Sequence, residues 1–226
     1  MSDRSTRVLV VRHGETDWNV ATRIQGQLDI ELNATGRWQA RKLADALAGE
    51  GLAAIYSSDL ARAWQTAEAV AARQEQPPVA DAGLRERGFG DFQGLTFDEI
   101  AERWPEPSRR WRRREVDFAP GGGESLRDFY ARSVGCAGRI AARHPGTTIC
   151  LVTHGGVLDC LYRAAARIDL QGPRSWQTAN ASINRLLYSD AGFTLVGWAD
   201  GAHLEGIGSN GPGGDEPPAA PRGNGA

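Results

Sequence analysis

The chain has 226 residues, 41% of them hydrophobic and 24% charged, with a formal charge of −2. That length suits one domain with a sizeable core and leaves too little for a second. The balanced charge excludes a global field for nucleic acid or an anionic membrane, so any attraction for an anion must be local.

Met1 to Arg7 is polar and runs directly into Val8-Leu9-Val10-Val11, too short for a signal h-region or a membrane span, so a cytoplasmic protein with no membrane partner is expected. Arg7 to Val11 reads as a buried strand that stops at Arg12-His13-Gly14. Helical spacing follows in Ala40, Leu43, Ala44 and Leu47, then a short apolar run, Ala53 to Tyr56, capped by Ser57-Ser58-Asp59. Leu60, Ala63, Ala67 and Val70 continue as a helix with Arg62 in its first turn, although a cation there opposes the helix dipole.

From Gly88 to Gly123 the chain mixes aromatics, arginines and prolines, and reads as a lid inserted in the main fold. Leu126, Phe129 and Val134 resume helical spacing, and Ile149 to Val152 is a second buried strand, stopping at Thr153-His154-Gly155-Gly156. Strands alternating with helices imply an α/β sheet. Ser182 to Tyr188 and Phe193 to Trp198, separated by Ser189 to Gly192, predict a hairpin that completes it. One domain over 1–205 is thus expected, followed from Gly206 to Ala226 by a tail rich in Gly, Pro and Ala that cannot offset its ordering entropy. Cys136, Cys150 and Cys160, at no metal-ligand spacing, read as buried free thiols.

Ligands of an open α/β sheet collect beyond the carboxyl ends of its strands, where both Arg12-His13-Gly14 and His154-Gly155-Gly156 fall. Glycines there bring amide N–H groups close to an anion, and a helix starting after the turn adds its positive end. Arg62 alone could equally make a surface pair; beside Arg12 it fits a pocket whose guanidinium forks match phosphate oxygens.

The ordered set Val10-Val11-Arg12-His13-Gly14-Glu15-Thr16, Trp18-Asn19, Gln25-Gly26, Tyr56-Ser57-Ser58-Asp59-Leu60-Ala61-Arg62-Ala63, Leu84-Arg85-Glu86 and Thr153-His154-Gly155-Gly156 resembles the histidine phosphatase superfamily, also called phosphoglycerate mutase-like. The resemblance covers most of residues 7–205. It implies a three-layer α/β/α sandwich on a mostly parallel sheet, and hydrolysis with no metal and no organic cofactor. By matching position, His13 would be the nucleophile, Arg12 and Arg62 the phosphate clamp, His154 the second imidazole and Glu86 the general acid. Asn19, Gln25 and Gly26 match positions that contact phosphate or the rest of the substrate, and Gly155 joins them at the second turn; Glu15 and Thr16 would brace the loop.

The chemistry is coherent in itself. A neutral imidazole attacks phosphorus and divides one displacement into two. Positioning and charge stabilisation dominate phosphoryl transfer, which suits two arginines and a charged His154. Glu86 would protonate the departing oxygen and then take a proton from the attacking water.

A phosphatase of a small phosphorylated molecule is the first reading, and a cofactor-dependent phosphoglycerate mutase at the same site the second. Departures from the mutase pattern favour hydrolysis: a shorter insertion after Glu86, Gly123-Glu124-Ser125 in place of Thr-Glu-Ser, and Gly156 in place of Asn. Trp111-Arg112-Arg113 pulls the other way, since mutases hold the substrate carboxylate with arginines of this insertion. A noncatalytic binding module is the third reading, disfavoured because the whole set of residues is present. Arg109 to Arg114, five arginines around Trp111, reads first as a solvated helix face and second as a lid contact for an anionic substrate, with nucleic acid disfavoured. The free edge of the hairpin offers a surface for a homodimer.

Overall fold

Val8, Leu9, Val10 and Val11 are all buried because the strand they form has neighbours on both sides and helices on both faces. The computed structural model describes residues 5–205, so the expectation about a tail from Gly206 lies outside the described residues. In chain order the elements are β1 (Thr6–Arg12), α1 (Asp17–Val20), α2 (Ala34–Leu47), β2 (Leu52–Ser57), α3 (Ala61–Gln74), β3 (Val79–Ala80), α4 (Phe97–Arg103), α5 (Pro105–Arg112), α6 (Leu126–Ala141), β4 (Thr148–Thr153), α7 (Gly155–Ala166), β5 (Ile183–Ser189) and β6 (Gly192–Asp200). The sheet order is β3-β2-β4-β1-β5-β6, with the first four strands parallel and the β5–β6 hairpin antiparallel.

The two-residue period of the strands divides the core. Val8, Val10, Ile149 and Leu151 pack against Phe129, Ala137 and Ile140 of α6 and Val157, Leu158 and Leu161 of α7. Leu9, Val11, Cys150 and Val152 face the opposite way, onto Leu43, Ala44 and Leu47 of α2 and Ala63, Ala67 and Val70 of α3. The result is the three-layer α/β/α sandwich. All three cysteines are free and buried, and burial pushes each thiol up to about 12, which leaves them unreactive at neutral pH.

Parallel register brings the chemistry together. Arg12 stands opposite Thr153, and His13 N donates to Thr153 O at 2.9 Å. Ser57 stands opposite Val152, and Ser58 N donates to Val152 O at 3.0 Å. His13, His154 and Ser58 therefore leave three adjacent strands at one level of the sheet.

The 88–123 segment, expected as a lid, forms a small third core of Phe92, Ile100 and Phe118, flanked by Trp104, Trp111 and, from outside the segment, Ile24, with Trp111 stacked on Phe97 at 5.1 Å. Four of the five arginines of the 109–114 segment are engaged by oxygens of the chain itself: Arg109 by Glu106, Arg110 by Glu115, Arg112 by Phe97 O, and Arg114 by Asp159 and Leu170 O. The helix-face reading therefore accounts for Arg109 and Arg110, while Arg112 and Arg113 meet no carboxylate among the described residues.

At the lid's stem Gly90 adopts φ +48°, and a Cβ there would collide with Gly121 O and Gly123 N; Gly122, at φ +71°, faces open space. Gly90→Ala should therefore cost clearly more stability than Gly122→Ala, which carries only the left-handed strain of about 1–2 kcal/mol. Urea denaturation of both variants measures the difference; equal losses would contradict it.

Candidate active site

The β1 strand ends in a turn that buries His13 to 3% exposure. Its Nδ1 lies 2.6 Å from Gly14 O. A carbonyl only accepts, so Nδ1 carries the proton and Nε2 keeps its lone pair. Burial, with Arg62 and Arg12 adding to it, holds the ring well below its ordinary value of 6.5, so His13 is a neutral imidazole at neutral pH.

His154 lies beside it, ring centroids 5.1 Å apart and planes inclined by 59°. Its Nε2 shares a 2.8 Å hydrogen bond with Ser58 Oγ, while its buried Nδ1 has no protein partner. Burial first, then Arg62, His13, Arg12 and Arg132, push this ring below 6.5 as well. The expectation of a charged His154 is thus corrected for the free site: two arginines and a second buried imidazole disfavour the proton. A dianion bound beside it would reverse that balance.

Arg62 is fully buried, with Nη1 donating to Leu28 O at 2.9 Å and Nη2 to Gly26 O at 2.7 Å. Arg12 Nη1 donates to Thr178 O at 2.6 Å. Both guanidiniums are held by carbonyls, which fix direction without neutralising charge, and the Nε of each is buried without a protein partner. Burial pushes each down to about 10, with Glu86 opposing, so both stay cationic at neutral pH. Carbonyl tethers and unpartnered donors make an anion cradle, to which the first turn of α7 adds its positive end.

The Ser57-Ser58-Asp59 run does not cap α3 as expected. The N-cap is Leu60, with no side-chain cap; Asp29 Oδ1 accepts from Ala61 N at 2.7 Å, and Asp59 pairs with Arg85. Ser58 Oγ accepts from Leu60 N at 3.3 Å and also bonds His154.

Glu86 Oε1 accepts from Arg87 N at 2.8 Å and Oε2 from Gly156 N at 2.9 Å. A Cβ on Gly156 would overlap Oε1 and stand 3.1 Å from Phe129, so a glycine at 156 is what lets the carboxylate reach this position. Behind it, Arg132 Nη2 donates to Glu86 O at 3.1 Å and to Glu124 Oε2 at 2.7 Å.

The remaining expected residues stand as follows. Gly155 opens α7 beside Arg12, and its Cβ position would lie 3.4 Å from Arg12 Nε. Gly26 contributes its carbonyl to Arg62, and Gln25 is buried with Oε1 unpartnered. Asn19 Oδ1 is taken by the α1 capping box, accepting from Thr16 N at 3.1 Å, and by Asn180 Nδ2 at 3.3 Å, so this oxygen helps brace the loop. Thr16 and Glu15 brace it too, Glu15 through Gln39 and Asn33. Sequence reasoning missed Asn180, whose Nδ2 donates to His13 O at 3.0 Å, together with Thr178 and the hydrogen-bonding role of Ser58. No local pattern marks them.

Among the described residues no cluster of three or more His, Cys, Asp or Glu could hold a metal ion, and no helix is long and apolar enough to cross a membrane.

The profile of the Histidine phosphatase superfamily (branch 1) matches residues 8–201. Phosphoglycerate mutase-like protein 4 of Arabidopsis thaliana is 42% identical over 214 residues, 92% of this chain and 92% of that protein. The metal-independent phosphoserine phosphatase of Arabidopsis thaliana is 39% identical over 206 residues, 90% of this chain and 85% of that protein. The solved structure of Bacillus stearothermophilus YhfR matches with a TM-score of 0.83 at 35% identity, covering 88% of this chain and 100% of its own.

Because His13 and His154 are held neutral in the fold, the unfolded chain binds their protons first as pH falls. Their contribution to stability is complete above 6.5 and should be lost below it, with a slope approaching about 1.4 kcal/mol per pH unit for each ring. Urea denaturation between pH 8 and 5 should show this slope in the native protein and a flatter one in the His13→Asn/His154→Gln variant. Parallel slopes would contradict the neutral assignment.

Proposed function

The chain belongs to the histidine phosphatase superfamily, branch 1, and on that premise we propose that it hydrolyses a small-molecule phosphate monoester through a phosphohistidine on His13, with Glu86 as the proton donor. The observation that carries this reading is the neutral His13, its Nδ1 tied to Gly14 O and its Nε2 left as nucleophile beside unpartnered donors of Arg12, Arg62 and His154.

In this scheme the phosphoryl oxygens settle on the Nε groups of the two arginines and on His154 Nδ1, and the phosphorus faces His13 Nε2. Attack forms the N–P bond as the ester P–O bond breaks, and the proton on Glu86 passes to the departing oxygen. Glu86, now a carboxylate, takes a proton from water, whose oxygen attacks the phosphohistidine and frees His13 and inorganic phosphate. The two amides that grip Glu86 hold it in one position through both halves.

Water as the acceptor, rather than a second hydroxyl of the same molecule, is favoured by Gly156, which stands where mutases carry Asn and where a Cβ would overlap Glu86 Oε1, and by the likeness to the metal-independent phosphoserine phosphatase of Arabidopsis thaliana.

Purified protein should hydrolyse an aryl phosphate without added metal, and His13→Ala should abolish this; unchanged hydrolysis in the variant would end the proposal. Glu86→Gln should slow an alkyl phosphate by about 10²–10⁴-fold, the usual worth of a general acid. An aryl phosphate with a good leaving group should lose much less, since its oxygen departs without a proton. Equal losses on the two esters would remove Glu86 from the role of donor.

A further inference from the structure

A phosphate needs Arg12 and Arg62, yet the rim of the site carries another guanidinium with no part in the reaction. Arg174 lies between α7 and β5, with Nε donating to Trp176 O at 3.1 Å and Nη2 to Thr178 Oγ1 at 2.6 Å. Thr178 is also the residue whose carbonyl receives Arg12 Nη1 at 2.6 Å, so one buried threonine carries two guanidiniums, one on its main chain and one on its side chain. Its hydroxyl lies 3.5 Å from where a Cβ would stand on Gly155 at the start of α7. Arg174 is thereby fixed next to the phosphate clamp, near enough that its charge helps lower the Arg12 pKa.

Arg174 is exposed, and its segment is anchored. Trp176 is buried, stacked on Tyr162 at 4.1 Å and covered by Arg163 at 4.7 Å. Like Arg12 and Arg62, and unlike the twelve described arginines in ion pairs, Arg174 has no carboxylate partner; what sets it apart from the other such arginines is its place on Thr178, next to Arg12. Two like charges held so near one another favour an anion between or beside them. The contacts to Trp176 O and Thr178 Oγ1 occupy the Nε/Nη2 edge of the guanidinium; Nη1 and the second hydrogen of Nη2 form the other edge, whose fork matches a carboxylate.

We propose that Arg174 is a specificity-determining residue that receives a carboxylate of the substrate, which makes the substrate class phosphate monoesters carrying a carboxylate a few bonds from the ester oxygen. This rests on the phosphatase reading above and narrows it. The phosphate is held by the buried pair Arg12 and Arg62, and the carboxylate by the exposed Arg174, so the second contact is the one that salt weakens.

The test compares kcat/KM for 3-phosphoglycerate and glycerol 3-phosphate, which differ by a carboxylate in place of a hydroxymethyl group, in the native protein, Arg174→Ala and Arg174→Lys. The native ratio should be about tenfold or more in favour of the carboxylate, the order expected for one charge-assisted contact. It should fall towards one in Arg174→Ala, hold an intermediate value in Arg174→Lys, and shrink with added salt. If Arg174 merely braces Thr178 and Arg12, both substrates decline together and the ratio stays; that result, or a native ratio near one, overturns the inference. Absence of aryl phosphate hydrolysis by the native protein would instead overturn the phosphatase reading, and this inference with it.

Discussion

The parallel pairing of β1 with β4, in the register that sets Arg12 opposite Thr153, is the constraint on which the site depends. A slip of one residue would turn every side chain of β1 to the opposite face, exchanging Val8 and Val10 with Leu9 and Val11 between the two helical layers. The register is thus enforced by both cores at once. Its by-product is that the two chains leave the sheet at the same height, which is why two imidazoles separated by most of the sequence meet at 5.1 Å.

Burial then sets their chemistry. Removing Arg12, Arg62, His13 and His154 from water opposes every positive charge among them, and the histidines yield while the arginines do not. The guanidiniums remain cationic because carbonyls of Gly26, Leu28 and Thr178 satisfy part of their hydrogen-bonding capacity without cancelling their charge. Had carboxylates done this, the ion pairs would have left little field for a ligand. One set of contacts thereby supplies both a nucleophilic imidazole and an electropositive cradle.

The sandwich and the main residues of the site were legible in the sequence because each depends on local pattern: short apolar runs that stop at His13 and His154, and helical spacing in α2, α3 and α6. The hairpin was legible too, although its strands reach Ser189 and start again at Gly192, leaving a turn of only two residues. What escaped are contacts closed by the fold. Ser58 meets His154 across 96 positions, and Asn180 meets His13 across 167, so no spacing rule reaches either. The state of His154 escaped for a related reason: the sequence shows that cations lie near, but only the structure shows how completely water is excluded around them.

Arg132 has a consequence on a longer scale. Its guanidinium gathers the carbonyls of Gly83, Arg85 and Glu86 together with both carboxylate oxygens of Glu124, so the loop that ends in Glu86 and the returning stem of the lid are bolted to one point on α6. Beyond that bolt the segment is tied to the fold elsewhere as well: Gly94 N donates to Ile24 O at 2.7 Å, Gln27 N to Gln93 Oε1 at 2.8 Å, and Arg114 pairs with Asp159 of α7. Chain between Gly88 and Glu124 thus reaches the site from two sides, Glu86 through Arg132 and Arg62 through the Gly26-Gln27 turn that Gln93 holds, so a change in its length or fold is felt at both.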